Sequence, residues 1–302
     1  MIIRTARSLS YILIASQICK ANGWDCSIAR DAVEFDAFIG SQYDVAFNYF
    51  WMRPKRFVYM TMEGEFMSES GWKKIKDICD KVRCYVPTKW GKDLAESHGV
   101  KVQDVIPHAL PQPIPDPPSS RPVGAVYLNA RYEFFCRPYD LATCQECERK
   151  GWRWWPRIKS VFPDALGFVS NCGGSDRTVA FGDAPTEDVY RLLSLGKVYA
   201  NLSTHEGFGI NPIMALAVGT PVVTWDIPVY RETMPEAVFV PVDHEAKCFV
   251  DQRYFLEPGW FITRWGNLDQ FIEAMKKAMS MSVDYASIRQ RYDAQRLYAK
   301  FL

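Results

Sequence analysis

Seven of the sixteen residues from Pro107 to Pro122 are prolines. Proline lacks a backbone donor and fixes one dihedral angle, which excludes a helix or a central strand there. The run divides a 302-residue chain into two parts, each long enough to bury its own core. We therefore expect a first domain over residues 1–110, a semi-rigid linker over 111–122 and a second domain over 123–284. Apolar periodicity predicts strands at 1–4, 24–29, 43–48, 57–62, 82–86 and 102–106, with helices at 8–22, 72–81 and 89–98. Beyond the linker it predicts strands at 124–129, 165–170, 178–181, 198–202 and 221–225, and helices at 139–150, 186–195, 211–218, 268–279 and 285–302. Short apolar strands separated by helices imply an α/β class with parallel sheets covered on both faces. Ligands of such sheets bind at the carboxyl ends of strands, so a cleft between the two domains is the expected site.

Thirty-six basic against 35 acidic residues give a net charge of +1, which argues against nucleic acid as a partner. No run of about 18 apolar residues is present, so a transmembrane segment is not expected. The first residues do not read as a signal peptide, and a cytoplasmic location is expected. Trp152, Trp154 and Trp155 suit sugar stacking or peripheral membrane contact, but burial under a neighbouring helix is the simpler account. Nine cysteines follow no secreted-type framework. Cys144 and Cys147 form one C-x-x-C without a matching second pair, so reduced structural cysteines and no metal are expected.

Residues 198–223 hold the densest chemistry: a strand, a polar turn, Glu206-Gly207-Phe208-Gly209, a helix beginning near Ile210, and a second strand. Two glycines let backbone approach a ligand closely. Free N–H groups and the dipole at a helix start favour an anion such as a diphosphate. Glu206 beside them suits sugar hydroxyls, although a tight strand–helix turn with a solvated Glu has the same pattern. Arg131 and Arg137, following the 124–129 strand, carry permanent charge and forked donors suited to phosphate. Asp-x-Asp is absent from the chain. Near the linker, His108 is read as an acceptor-side group or a structural residue. Glu63 and Glu65 follow a strand end and are read as acceptor-orienting groups or a solvated turn.

Ser203–Gly209, the helix after it and Ala217–Val223 match S-x-x-E-G-F-G and A-x-G-x-P-V-V. In these residues the chain resembles the large retaining GT-B glycosyltransferase family called group 1, whose members carry Glu-x7-Glu. The clear likeness covers about residues 123–245, and a weaker one covers 81–109. The resemblance implies two Rossmann-like domains with parallel sheets facing across a cleft, the donor held by the second, and helix 285–302 crossing back to the first. It implies that Glu206, Arg131 and Arg137 are catalytic and that Gly207, Phe208, Gly209, Ile210, Asn211 and Glu232 bind the donor. It further implies a nucleotide sugar as substrate rather than any cofactor, transfer with retention, and no metal. Met214 stands where the family has its second, ribose-binding Glu, so Asn211 becomes a polar candidate on the same helix. A non-catalytic donor-binding subunit, an epimerase and a phosphorylase remain alternatives.

Overall fold

A computed structural model describes residues 1–6, 9–29, 34–129, 149–169, 185–249 and 259–301. The chain divides into two compact units. One comprises Met1–Pro111, Cys248–Ile262 and Tyr292–Leu302; the other comprises Gln112–Lys247 and Thr263–Arg291.

The first unit is built on six parallel strands: β1 (Ile2–Thr5), β2 (Ser27–Ala29), β3 (Phe35–Ser41), β4 (Pro54–Thr61), a short β5 (Phe66–Met67) outside this sheet, β6 (Arg83–Val86) and β7 (Asp104–Val105). Their order is β2-β1-β3-β4-β6-β7. Helices Leu9–Ala21, Glu69–Cys79 and Lys89–Ser97 fall where the periodicity predicts them, within a few residues. The 43–48 segment, predicted as a strand, is instead a helix, Gln42–Phe47. Ser41 and Asp44 form a capping box, with Asp44 Oδ2 accepting from Ser41 N at 2.8 Å. That box starts a helix where an apolar run alone reads as extended. The strand in that region is β3, which Asp36 and Gly40 disguise in the sequence.

The second unit carries five parallel strands: β8 (Val123–Asn129), β9 (Leu166–Val169), β10 (Gly196–Asn201), β11 (Val222–Trp225) and β12 (Val238–Val240), ordered β12-β11-β10-β8-β9. From β8 the chain goes to β9 on one side and then to β10 on the other. The sheet's topological switch point therefore lies between β8 and β10. Val126, Tyr127, Val198, Ala200, Leu216, Val223, Trp225 and Phe271 are buried around this sheet.

The proline stretch is not a free tether. Arg121 Nη1 donates to Ser194 O at 2.7 Å and Thr220 Oγ1 at 2.6 Å, and Nη2 donates to Val218 O at 2.7 Å. Residues 285–302 form two helices, Tyr285–Arg291 and Ala294–Tyr298, rather than one. Asp293 caps the second by accepting from Arg296 N, which breaks the run between them. The break coincides with the division between units, so only Tyr292–Leu302 belongs with the first.

Cysteine usage also departs from expectation. Cys19 is bonded to Cys26 and Cys79 to Cys84, and Cys248 is likewise oxidised. Each pair joins a helix end to the strand that follows it, which a spacing rule for secreted frameworks does not detect. These bonds correct the expectation of reduced structural cysteines. Cys136, Cys144, Cys147 and Cys172 lie outside the described residues.

Candidate functional site

In the second unit, the loop after β10 is held from two sides. Thr204 N donates to Arg149 O at 2.8 Å, and Arg264 N donates to Thr204 O at 2.9 Å. Asn201 Nδ2 donates to Thr224 Oγ1 at 2.9 Å, tying the end of β10 to β11. Leu202 through His205 are buried. Gly209 then turns the chain with φ of 84°. A side chain there would meet the Tyr230 ring, with Cε1 2.6 Å from the position of a Cβ. The helix Ile210–Ala217 starts on that glycine without a side-chain cap. Pro212 in its first turn has no N–H, so the donors it presents come from its neighbours.

The carboxylate of Glu206 accepts from the Lys150 ammonium. The two side chains are 14% and 13% exposed, so the pair is largely withdrawn from water. Lys150 is set in place by its backbone. Tyr127 Oη donates to Lys150 O at 2.7 Å, and the adjacent Gly151 has φ of 72°. A Cβ on Gly151 would lie 2.4 Å from both Cβ and O of Leu202, so only glycine allows this close crossing. Lys150 is the residue that sequence reasoning missed. Its signal was Gly151, whose contact with the segment before Glu206 is long-range.

Glu206, Gly207, Phe208, Gly209, Ile210 and Asn211 thus share one strand–loop–helix turn; Phe208 is buried, and Ile210 and Asn211 are half-buried. Met214 is buried within the helix. Glu232 is exposed on the helix Pro228–Thr233, which also supplies Tyr230. Tyr230 is buried beside Asn201, Ser203 and Arg149, and burial pushes its phenol up. Arg131 and Arg137 lie outside the described residues, in the segment following β8. β8 and β10 flank the switch point, and the loop carrying Glu206 leaves the end of β10.

The Trp cluster is mainly packing. Trp155 is buried and stacks on Tyr127 at 5.1 Å, while the Arg153 guanidinium lies 4.3 Å from the Trp154 ring and 4.6 Å from that of Trp265.

The acceptor-side candidates belong to the first unit. His108 is buried, with Nδ1 2.8 Å from Tyr59 Oη and Nε2 3.0 Å from Thr61 Oγ1. Burial lowers its pKa from 6.5 to about 3, against a smaller upward pull from Glu63. The Glu63 amide donates to Gln42 Oε1 at 2.6 Å. Glu65 Oε2 accepts from Ile262 N at 2.9 Å, bracing the strand Gly259–Trp265 where Trp260 pairs with Phe66 of β5. Glu65 is therefore a bracing residue.

His108 gives a pH prediction. The unfolded chain takes up a proton that the fold refuses, so stability is present above the unfolded pKa and lost as pH falls below it. Between about pH 6 and pH 4, this site should contribute a loss of roughly 1.4 kcal/mol per pH unit. Denaturant titrations of the wild type and His108→Gln, compared over that range, should show a shallower slope in the variant. Parallel slopes would exclude His108 as the source.

The strand order, the glycine turn and the abrupt helix start define an α/β, Rossmann-like unit of the kind found in GT-B glycosyltransferases. Residues 167–282 match the profile of the family described as glycosyl transferases group 1. The O-antigen chain mannosyltransferase RfbU of Salmonella typhimurium is 31% identical over 124 residues, covering 35% of this chain and 35% of the relative. ORF378 of Acidianus filamentous virus 2, provisionally named a glycosyltransferase, is 34% identical over 102 residues, covering 32% of this chain and 25% of the relative. These matches therefore span well under half of either relative. Among solved structures, WaaG, a glycosyltransferase involved in lipopolysaccharide biosynthesis, aligns with a TM-score of 0.57 at 11% identity, covering 99% of this chain and 95% of its own. S. aureus TarM, in complex with fondaparinux, alpha-GlcNAc-glycerol and UDP, aligns with a TM-score of 0.55 at 12% identity over 88% of this chain and 54% of its own. At these identities, the structural likeness concerns the fold alone.

Proposed function

We propose that this chain is a glycosyltransferase that moves a sugar from a nucleotide diphosphate sugar to an acceptor hydroxyl, with retention and without a metal. The observation that carries the reading is the turn at Gly209, where a carboxylate and an ammonium stand beside an uncapped helix start. In this reading Glu206 accepts from sugar hydroxyls. The helix start, Lys150, Arg131 and Arg137 neutralise the departing diphosphate. Gly207, Phe208 and Gly209 present backbone to the donor, and Asn211 and Glu232 serve the nucleotide. Glu63 attends the acceptor. The family match over 167–282 and the mannosyltransferase likeness support this assignment.

The test is a thermal-shift screen of UDP-, GDP- and ADP-sugars, followed by a transfer assay with and without EDTA. A bound donor at a hundred times its Kd should add about 2.7 kcal/mol of stability and raise the Tm. EDTA should leave transfer unchanged. No shift with any nucleotide sugar would refute the reading. The buried Met214 favours a second reading, a donor-binding subunit without turnover. A Tm rise without transfer to any acceptor mixture would select it.

A further inference from the structure

The turn between helix Gln42–Phe47 and β4 is unlike the rest of the surface. Residues 47–56 (FNYFWMRPKR) hold four aromatic and three basic residues and no acid. Phe47 is 44%, Phe50 69% and Trp51 73% exposed. Single exposed apolar side chains are ordinary, but three large ones on one turn form a patch that water solvates poorly. The turn itself is ordered by a backbone bond, Trp51 N donating to Asn48 O at 2.9 Å, and by the Arg53 guanidinium, whose Nη1 donates to Met52 O at 2.9 Å. Met52 between them is buried, so it anchors the turn while its neighbours point outward.

The rim of the patch is basic. Arg53, Lys55 and Arg56 are exposed, and Lys73 is exposed on the adjoining helix Glu69–Cys79, where the Lys74 ammonium lies 5.9 Å from the Phe50 ring centre. Three acids nearby are engaged. Glu34 meets Lys55 at 3.0 Å, Asp77 accepts from Tyr49 Oη at 3.1 Å, and Asp80 pairs with Lys76 at 2.5 Å. An aromatic tip ringed by cations complements one surface in particular, a layer of anionic headgroups over acyl chains. Aromatic side chains settle at that depth, and bases settle at the headgroups. Among the described residues no helix is long and apolar enough to cross a membrane, so such contact would be peripheral.

We infer that this turn docks the first unit onto an anionic lipid bilayer surface. The turn lies at the start of β4, whereas Thr61 and His108 gather at its other end, about 23 Å away for a strand of this length. Docking therefore leaves the carboxyl ends of these strands uncovered.

The experiment is co-sedimentation of the full chain with large vesicles. One set contains equal parts phosphatidylcholine and phosphatidylglycerol; the other contains phosphatidylcholine alone. The wild type should pellet with the anionic vesicles, far less with the neutral ones, and less again as salt is raised. Phe50→Ser/Trp51→Ser and Lys55→Glu/Lys73→Glu should each weaken partitioning at least about tenfold, with thermal melts unchanged because these side chains are exposed and the Lys55–Glu34 pair lies in solvent. As a second measurement, brominated lipid should quench wild-type tryptophan fluorescence more than that of Trp51→Phe. Absence of binding to anionic vesicles overturns the inference, as does binding that neither double variant weakens. Concentration-dependent self-association that the aromatic variant abolishes, without vesicle binding, assigns the patch to a second copy instead.

Discussion

Glu206→Ala should lower kcat/KM for sugar transfer by about 10²–10³-fold, the loss of one well-placed polar group at a reacting centre. Two effects act together in that variant. The donor sugar loses an acceptor for its hydroxyls, and the Lys150 ammonium loses the carboxylate that faces it. The second effect can be isolated, because the ion pair is largely withdrawn from water and breaking it strands a charge. Glu206→Gln should therefore cost stability as well as transfer. Lys150→Met added to Glu206→Gln should return stability without restoring transfer, and the double-mutant cycle separates the two losses. The measurements are steady-state kinetics with the donor identified by thermal shift, and urea unfolding of the wild type, Glu206→Gln, Lys150→Met and the double variant. Transfer within a few-fold of wild type in Glu206→Ala would remove this residue from the mechanism.

Gly151→Ala should strongly destabilise the second unit. Its φ of 72° disfavours any side chain, and the added Cβ would sit 2.4 Å from two Leu202 atoms, one of them the carbonyl oxygen. The conformational cost and the overpacking sum to roughly 3 kcal/mol, a fall in Tm of about 6–10 °C. Leu202→Ala should not rescue it, because the clash with the carbonyl remains. Gly23→Ala is the control: its φ is 63°, but no atom lies within 4 Å of an added Cβ, so about 1 kcal/mol is expected. Differential scanning calorimetry of the three variants decides the matter. Equal losses at positions 23 and 151 would mean the close crossing contributes little.

The order of elements was largely legible because strand and helix periods differ so clearly in this chain. The periodicity located β1, β4, β6, β8, β10 and β11 within a few residues, as well as the helix after Gly209. It failed at 43–48, where a two-residue capping box decides between helix and strand and outweighs an apolar run. It also passed over β3, where Asp36 accepts from Ile2 N at 2.8 Å and so serves a neighbouring strand rather than solvent. At the candidate site, local text sufficed for Glu206, Gly209 and the helix start, all within a dozen residues. Lys150 is separated from Glu206 by 56 positions, and only the packing of Gly151 on Leu202 brings them together. His108 and Glu65 show the reverse case. Their residue types suggested acceptor chemistry, while burial against Tyr59 and Thr61, and a backbone donor from Ile262, give them structural partners.

The Arg121 clasp determines where this chain can be cut. Its guanidinium gathers carbonyls from the ends of two successive helices, and Arg289 reaches Ala217 O at 2.8 Å from the other direction. An excised second unit that starts at the first strand of its sheet forfeits the clasp, whereas one that starts at Gln112 retains it. The stretch that looks in sequence like a disposable hinge is, in physical terms, the fastening of the unit that follows it.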